Sequence, residues 1–173
     1  MIKREHPTLT GSTGAVFSDC ERYRYRLWRE WDSRLPKLCF IMLNPSTADE
    51  QTNDPTITRC EARAVDGGFG RLEVVNLFPW RATDPDELAR AEDPVGPSER
   101  ANCAMMYALE HSTMIICAWG AHKFAAARAA DVCHMLAITG YANDLYHLGL
   151  NQDGSPKHPL YVAKAIKPMR FVP

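Results

Sequence analysis

Long apolar runs are missing from this 173-residue chain. No stretch approaches the roughly 20 consecutive apolar residues that a membrane-spanning helix needs. The opening residues, Met1-Ile-Lys-Arg-Glu-His-Pro7, have no hydrophobic segment of the signal-peptide kind, so a cytoplasmic protein is expected. An excess of charge is missing too. The formal net charge of −1 excludes a polycation that holds nucleic acid by neutralising many phosphates. Only the last segment, Ser155 to Pro173, has a local bias, with Lys157, Lys164, Lys167 and Arg170 and no acidic residue. There is no G-x-x-x-x-G-K-[ST] loop and no G-x-G-x-x-G turn, which argues against nucleoside-triphosphate and dinucleotide chemistry. No G-x-S-x-G elbow accompanies Ser46, so a serine nucleophile has no support. No Cys-x-x-Cys pair occurs among the six scattered cysteines, which read as reduced thiols, those in apolar runs as small hydrophobes. His147, His158, Asp49, Asp54 and Asp153 have no metal-ligand spacing, and neither a metal nor a cofactor is expected.

What is present is an alternation of apolar runs and amphipathic segments. Residues 14–20 and 23–32 read as a hairpin that turns near Asp19 to Arg22, the second arm alternating like a strand with one wet face. Lys37–Leu43, Leu72–Phe78, Thr113–Ala118 and Asp144–Leu148 read as buried strands. Between them lie helical segments. One starts at Pro55 behind an Asp54 cap and stops at Gly67-Gly68. A second spans Ser98–His111 with Ala101, Met105, Ala108 and Leu109 on one side, and a third spans Ala121–Ile138. A short helix is expected over Asp86–Ala91 and another near Tyr161–Ala165. Strands alternating with helices predict a three-layer α/β/α protein with a central four-stranded, mainly parallel sheet. One α/β domain over 1–173 follows, with the hairpin at about 14–32, a core at 37–161 and a tail at 162–173.

In open parallel sheets, ligands bind beyond the carboxyl ends of the strands. The first strand is followed by Asn44, Pro45, Ser46, Thr47 and Asp49, and the second ends in Asn76, Phe78, Trp80 and Arg81. Trp119, Gly120 and His122 follow the third; Asn151, Asp153, Lys157, His158 and Tyr161 follow the fourth. Each has a plain structural reading. Asn44-Pro45 suits a turn, Trp119-Gly120 suits packing at a strand end, and a loop histidine is usually solvated. Asn76 is different. It interrupts Val74-Val75 and Leu77-Phe78, and an unpaired amide in such a run is costly. It either holds a neighbouring loop or faces a ligand.

The runs LNPSTADEQTNDPTITR, NLFPWRATDPDEL, DPVG, AWG and GSPKHPLY resemble the bacterial and phage family called domain of unknown function 1643, across about Leu38 to Tyr161. A more distant resemblance is to the uracil-DNA glycosylase superfamily. Met42-Leu43-Asn44-Pro45 is similar to that superfamily's first motif, which ends in Asp-Pro or Asn-Pro. The stretch from Val75 to Thr83 is similar to the segment whose asparagine reads the base. Ala118-Trp119-Gly120 and His158-Pro159 resemble its third and last motifs. This resemblance implies a parallel sheet flanked by helices and hydrolysis of an N-glycosidic bond. It implies Asn44 and His158 as catalytic groups, the first orienting water and the second bonding the developing oxyanion. Asn76 would pair with the base edge, and Phe78 or Trp80 would stack on the base. Pro45, Ser46, Arg81, Trp119, Lys157 and Tyr161 complete the expected binding set. The first motif lacks its usual glycine, and Leu160-Tyr161 replaces the Ser-Pro that pinches duplex DNA. The expected partner is therefore a nucleobase, nucleotide or nucleic acid, single-stranded or modified rather than ordinary duplex, and not a membrane. Two rival readings stand beside this one: a non-catalytic reader of modified nucleotides, and a small-molecule enzyme of another class on the same sheet.

Overall fold

A computed structural model describes residues 1–173, apart from the side chains of Pro85 and Ala89. Eight strands form one mixed sheet: β1 (Ile2–Pro7), β2 (Ser12–Phe17), β3 (Arg24–Glu30), β4 (Lys37–Met42), β5 (Arg71–Asn76), β6 (Ser112–Cys117), β7 (Leu145–His147) and β8 (Met169–Arg170). Three helices complete the fold: α1 (Pro55–Asp66), α2 (Ser98–Leu109) and α3 (Ala125–Ile138). The strand order is β1-β2-β3-β5-β4-β6-β7-β8. Pairing is parallel across β5-β4-β6-β7 and antiparallel at the other four junctions.

The expected four-stranded sheet is thus corrected to an eight-stranded one in which antiparallel junctions outnumber parallel ones. The hairpin is not an appendage. β3 pairs with β5, placing Leu27 opposite Val74 and Trp28 opposite Glu73. An unpaired β5 edge would leave a row of backbone donors and acceptors without partners, and β3 supplies them. This also corrects the expected wet face of the second arm: six of its seven residues are buried, because β3 lies inside the sheet and is covered on both faces. Ion pairs make that burial tolerable. Arg26 donates to Glu73 at 2.8 Å, and Arg71 binds the same carboxylate at 2.5 Å. The expected short helix near Tyr161–Ala165 is a single 3-10 turn over Pro159–Tyr161.

Helices cover both faces because parallel neighbours need crossover connections. The Asp54 side chain caps α1 by accepting from the Ile57 N–H at 2.8 Å, and Pro55 opens the helix. Ile57, Cys60 and Ala64 pack on Leu38, Phe40, Leu72 and Val74. On the other face, Met105, Ala108 and Leu109 of α2, with Val132 and Leu136 of α3, pack on Cys39, Ile41, Val75 and Ile115. From β4 the chain goes through α1 to β5 on one side. From β5 it returns through α2 to β6 on the other. The order therefore reverses at β4, which makes the carboxyl ends of β4 and β6 the switch point of the sheet.

Candidate functional site

The chain leaving β4 is zipped to the chain leaving β5. Leu77 N–H donates to Met42 O at 2.8 Å, Phe78 N–H to Leu43 O at 2.9 Å, and Ala82 N–H to Pro45 O at 2.9 Å. The Asn44 amide nitrogen donates to Ala82 O at 2.8 Å and to Pro45 O at 3.1 Å. Both its N–H groups are spent on carbonyls, so Asn44 Oδ1 is left as the acceptor. The loop beyond is wrapped around a buried guanidinium. Arg29 donates to Asp49 O at 2.7 Å and to Asn53 Oδ1 at 2.9 Å. That contact fixes the path from Ala48 to the cap of α1.

Asn76 is the last residue of β5, beside Met42. Its parity with Leu72 and Val74 turns it to the α1 face. Only 4 % of its surface is exposed, and neither its Oδ1 nor its Nδ2 has a hydrogen-bond partner. Of the two sequence readings, the loop-holding one is therefore not what this structure shows. A buried orphan amide costs about 1–3 kcal/mol.

His158 approaches the same edge from the far side. Gly120 has φ +78°, and a side-chain carbon there would lie 3.5 Å from His158 Cβ. Gly120 N–H also donates to Pro156 O at 2.8 Å, tying the loop after β6 to the chain that carries His158. His158 Nδ1 accepts from the Leu160 N–H at 3.4 Å, so the neutral ring carries its proton on Nε2. Burial pushes the imidazolium pKa below its usual value, against a smaller opposing effect of Asp54. The ring is a neutral donor at pH 7.

The aromatic expectations fare differently. Phe78 and Trp119 are buried in the α2–α3 face, opposite to Asn76. Trp119 packs edge-on against Phe171, with ring centroids 5.9 Å apart. Trp80 is pinned by Tyr23 at 5.4 Å and by the Arg22 guanidinium at 5.7 Å. None of the three joins Asn76 as a stacking partner. Arg81 lies over Phe17 and reaches Glu21 O at 3.3 Å. Pro45 is buried and Ser46 half-buried in the β4 loop, while Lys157 is exposed. Tyr161 is 83 % exposed, its ring 5.7 Å from that of His158. A cavity of about 830 Å³ lies along α3, lined by Trp119, His122, Cys133, Pro156 and Phe171 among others. It takes in neither Asn44, Asn76 nor His158.

Sequence reasoning missed Arg24 and underrated Asp54. Arg24 is 1 % exposed, and its backbone N–H donates to Pro79 O at 2.9 Å. Its side chain crosses to Ala48 O at 2.6 Å. Burial pulls its pKa down to about 10, with Asp54 the strongest opposing charge. Asp54 thus acts electrostatically on both Arg24 and His158. Among the described residues, no group of three or more His, Cys, Asp or Glu side chains could hold a metal ion. No helix among them is long and apolar enough to cross a membrane.

Residues 24–160 match the model of the family described as Protein of unknown function (DUF1643), and the chain belongs to that family. No curated protein and no solved structure matches it.

Proposed function

We propose that this protein binds a nucleobase at the carboxyl edge of β4 and β5, on the α1 face, and hydrolyses the N-glycosidic bond that carries it. One observation carries the reading: Asn76 presents a donor and an acceptor side by side, both buried and both unpaired. An amide of that kind matches the lactam or amino-imine edge of a base, which offers the complementary pair. Its place at the end of a parallel strand, next to the reversal of strand order, is where open α/β sheets bind ligands.

The flanking groups suit the bond cleavage. Leaving-group departure puts negative charge on the base and positive character on the sugar. His158, neutral with its Nε2–H free to donate, stabilises an oxyanion without first losing a proton. Asn44 Oδ1, fixed by its two carbonyl contacts, accepts from a water and orients it. An amide is a poor base, so the rate rests on leaving-group stabilisation rather than on proton abstraction. Asn76 is closed over in the free protein, and base entry requires one of the flanking loops to part. The likeness in motif order to the uracil-DNA glycosylase superfamily agrees with this assignment.

The test is a base-release assay on single- and double-stranded DNA, RNA and nucleosides carrying normal, deaminated and hypermodified bases. Free base is read by mass spectrometry, with His158→Ala as control. Release that the variant loses is the expected result. Release that the variant retains in full removes His158 from the mechanism. Binding without release from any substrate makes the protein a reader rather than a hydrolase.

A further inference from the structure

The orphan amide of Asn76 has a neighbour with the same problem. Arg24 is on β3 and its side chain ends at Ala48, in the loop after β4. β3 pairs directly with β5, and the loop after β4 folds back over both, since Arg29 of β3 also donates to Asp49 O of that loop. Asn76 is the last residue of β5 and faces the same side. Arg24 opens β3 and Asn76 closes β5, so the antiparallel pairing of the two strands brings both residues to the same end of the sheet.

A guanidinium has five N–H groups. The protein engages Arg24 through Nη1 alone, and its Nε is buried with no partner. What is missing is a hydrogen-bond acceptor. Asp54 and Asp49 favour the Arg24 cation, and Arg81 and Arg29 oppose it. An ionised phosphate offers acceptors alone and would leave Asn76 Oδ1 without a donor. A neutral ring with a donor beside the acceptors on its edge would not.

We infer that Arg24 and Asn76 together read a 6-oxopurine. This rests on the nucleobase assignment above and narrows it. The amide of Asn76 donates to O6 and accepts from N1–H. Arg24 donates to N7 and O6, the pairing that arginine makes with guanine in DNA grooves. Uracil and thymine share the lactam edge but place C5 where the purine has N7, so Arg24 Nε stays unpaired. Adenine and cytosine turn an amino group toward the guanidinium, donor against donor. Hypoxanthine, guanine and xanthine satisfy the orphan atoms together.

The experiment is a calorimetric titration of the full chain with hypoxanthine, 7-deazahypoxanthine, uracil and adenine. The 7-deaza compound replaces N7 by C–H and changes nothing else on the edge. Hypoxanthine is expected to bind tightest, and 7-deazahypoxanthine about tenfold or more weaker, the loss of one bond to a charged donor. Arg24→Met is expected to erase the difference between the two. If that variant does not fold, the wild-type comparison decides alone. Equal binding of hypoxanthine, its 7-deaza analogue and uracil overturns the 6-oxopurine inference and leaves the nucleobase assignment standing. Binding of no base overturns both.

Discussion

Replacing Asn76 by leucine separates a binding role from a structural one more sharply than any other single change. The amide is 4 % exposed, and both its polar atoms lack partners. In the free protein it contributes a desolvation penalty and nothing to offset it. Mutational data place that penalty at about 1–3 kcal/mol for a buried amide. Leucine has a similar shape and removes the penalty. It would pack against Met42, the β4 residue beside it, in the apolar layer under α1. Asn76→Leu should therefore be more stable than the wild type by about 1–3 kcal/mol, and base binding should be lost. In a chain of this size each kcal/mol moves the melting temperature by about 2–4 °C. Urea denaturation is the better measurement, because an unchanged m-value shows that the compactness of the two states has not shifted. A loss of about 2 kcal/mol or more refutes the reasoning: the amide would then be holding a neighbouring segment in the free protein.

Asp54→Asn keeps a capping side chain on α1 but removes the charge that answers Arg24, and should cost more than the roughly 1 kcal/mol of a lost cap in urea denaturation. His158 has its pKa lowered by burial from the usual 6.5, so the unfolded chain binds its proton first as pH falls. Its share of stability is full above 6.5 and is lost as pH falls from there toward the folded value; His158→Asn should flatten that part of the stability–pH curve. Glu73 is 0 % exposed and binds both Arg26 and Arg71; Glu73→Gln leaves two cations short of a counter-charge and should cost about 3–5 kcal/mol in the same denaturation assay. Cys20 is exposed, and a hydrogen bond from Ser18 lowers its thiol pKa to about 7; its alkylation rate should be half-maximal near that pH, while Cys39, Cys60 and Cys117 react only on unfolding.

The parallel part of the sheet was legible because its strands are apolar without a break and its helices carry their own punctuation. Asp54, Pro55 and Gly67 mark the two ends of α1, and all three act as the sequence predicts. The rest of the sheet depends on pairings that no local pattern reveals. β1 reads as a charged, exposed segment, and only its register against β2, Ile2 opposite Phe17, makes it a strand. β3 joins β5 across a long stretch of intervening chain, so a hairpin that reads as a separate unit lies in the interior of the sheet.

The site divides in the same way. Asn76 could be singled out because an amide inside Val-Val-Asn-Leu-Phe has no cheap local explanation. Arg24 could not, because arginine on alternate positions of a strand reads as a solvated face. Burial of that face follows from α1, the β4 loop and α2 closing over β3, all of them remote in sequence. Phe78, Trp80 and Trp119 stand out by residue type and position, but the strand parity and loop path turn them toward the opposite core.

The most direct test of the account is to observe the Asn76 amide itself. In a proton–nitrogen correlation spectrum of labelled protein, the Asn76 side-chain pair is assigned by its loss in Asn76→Leu. Addition of hypoxanthine should shift that pair strongly and in step with the binding isotherm. A base that binds while the Asn76 pair stays where it was would contradict the central claim, and so would a panel of bases of which none binds.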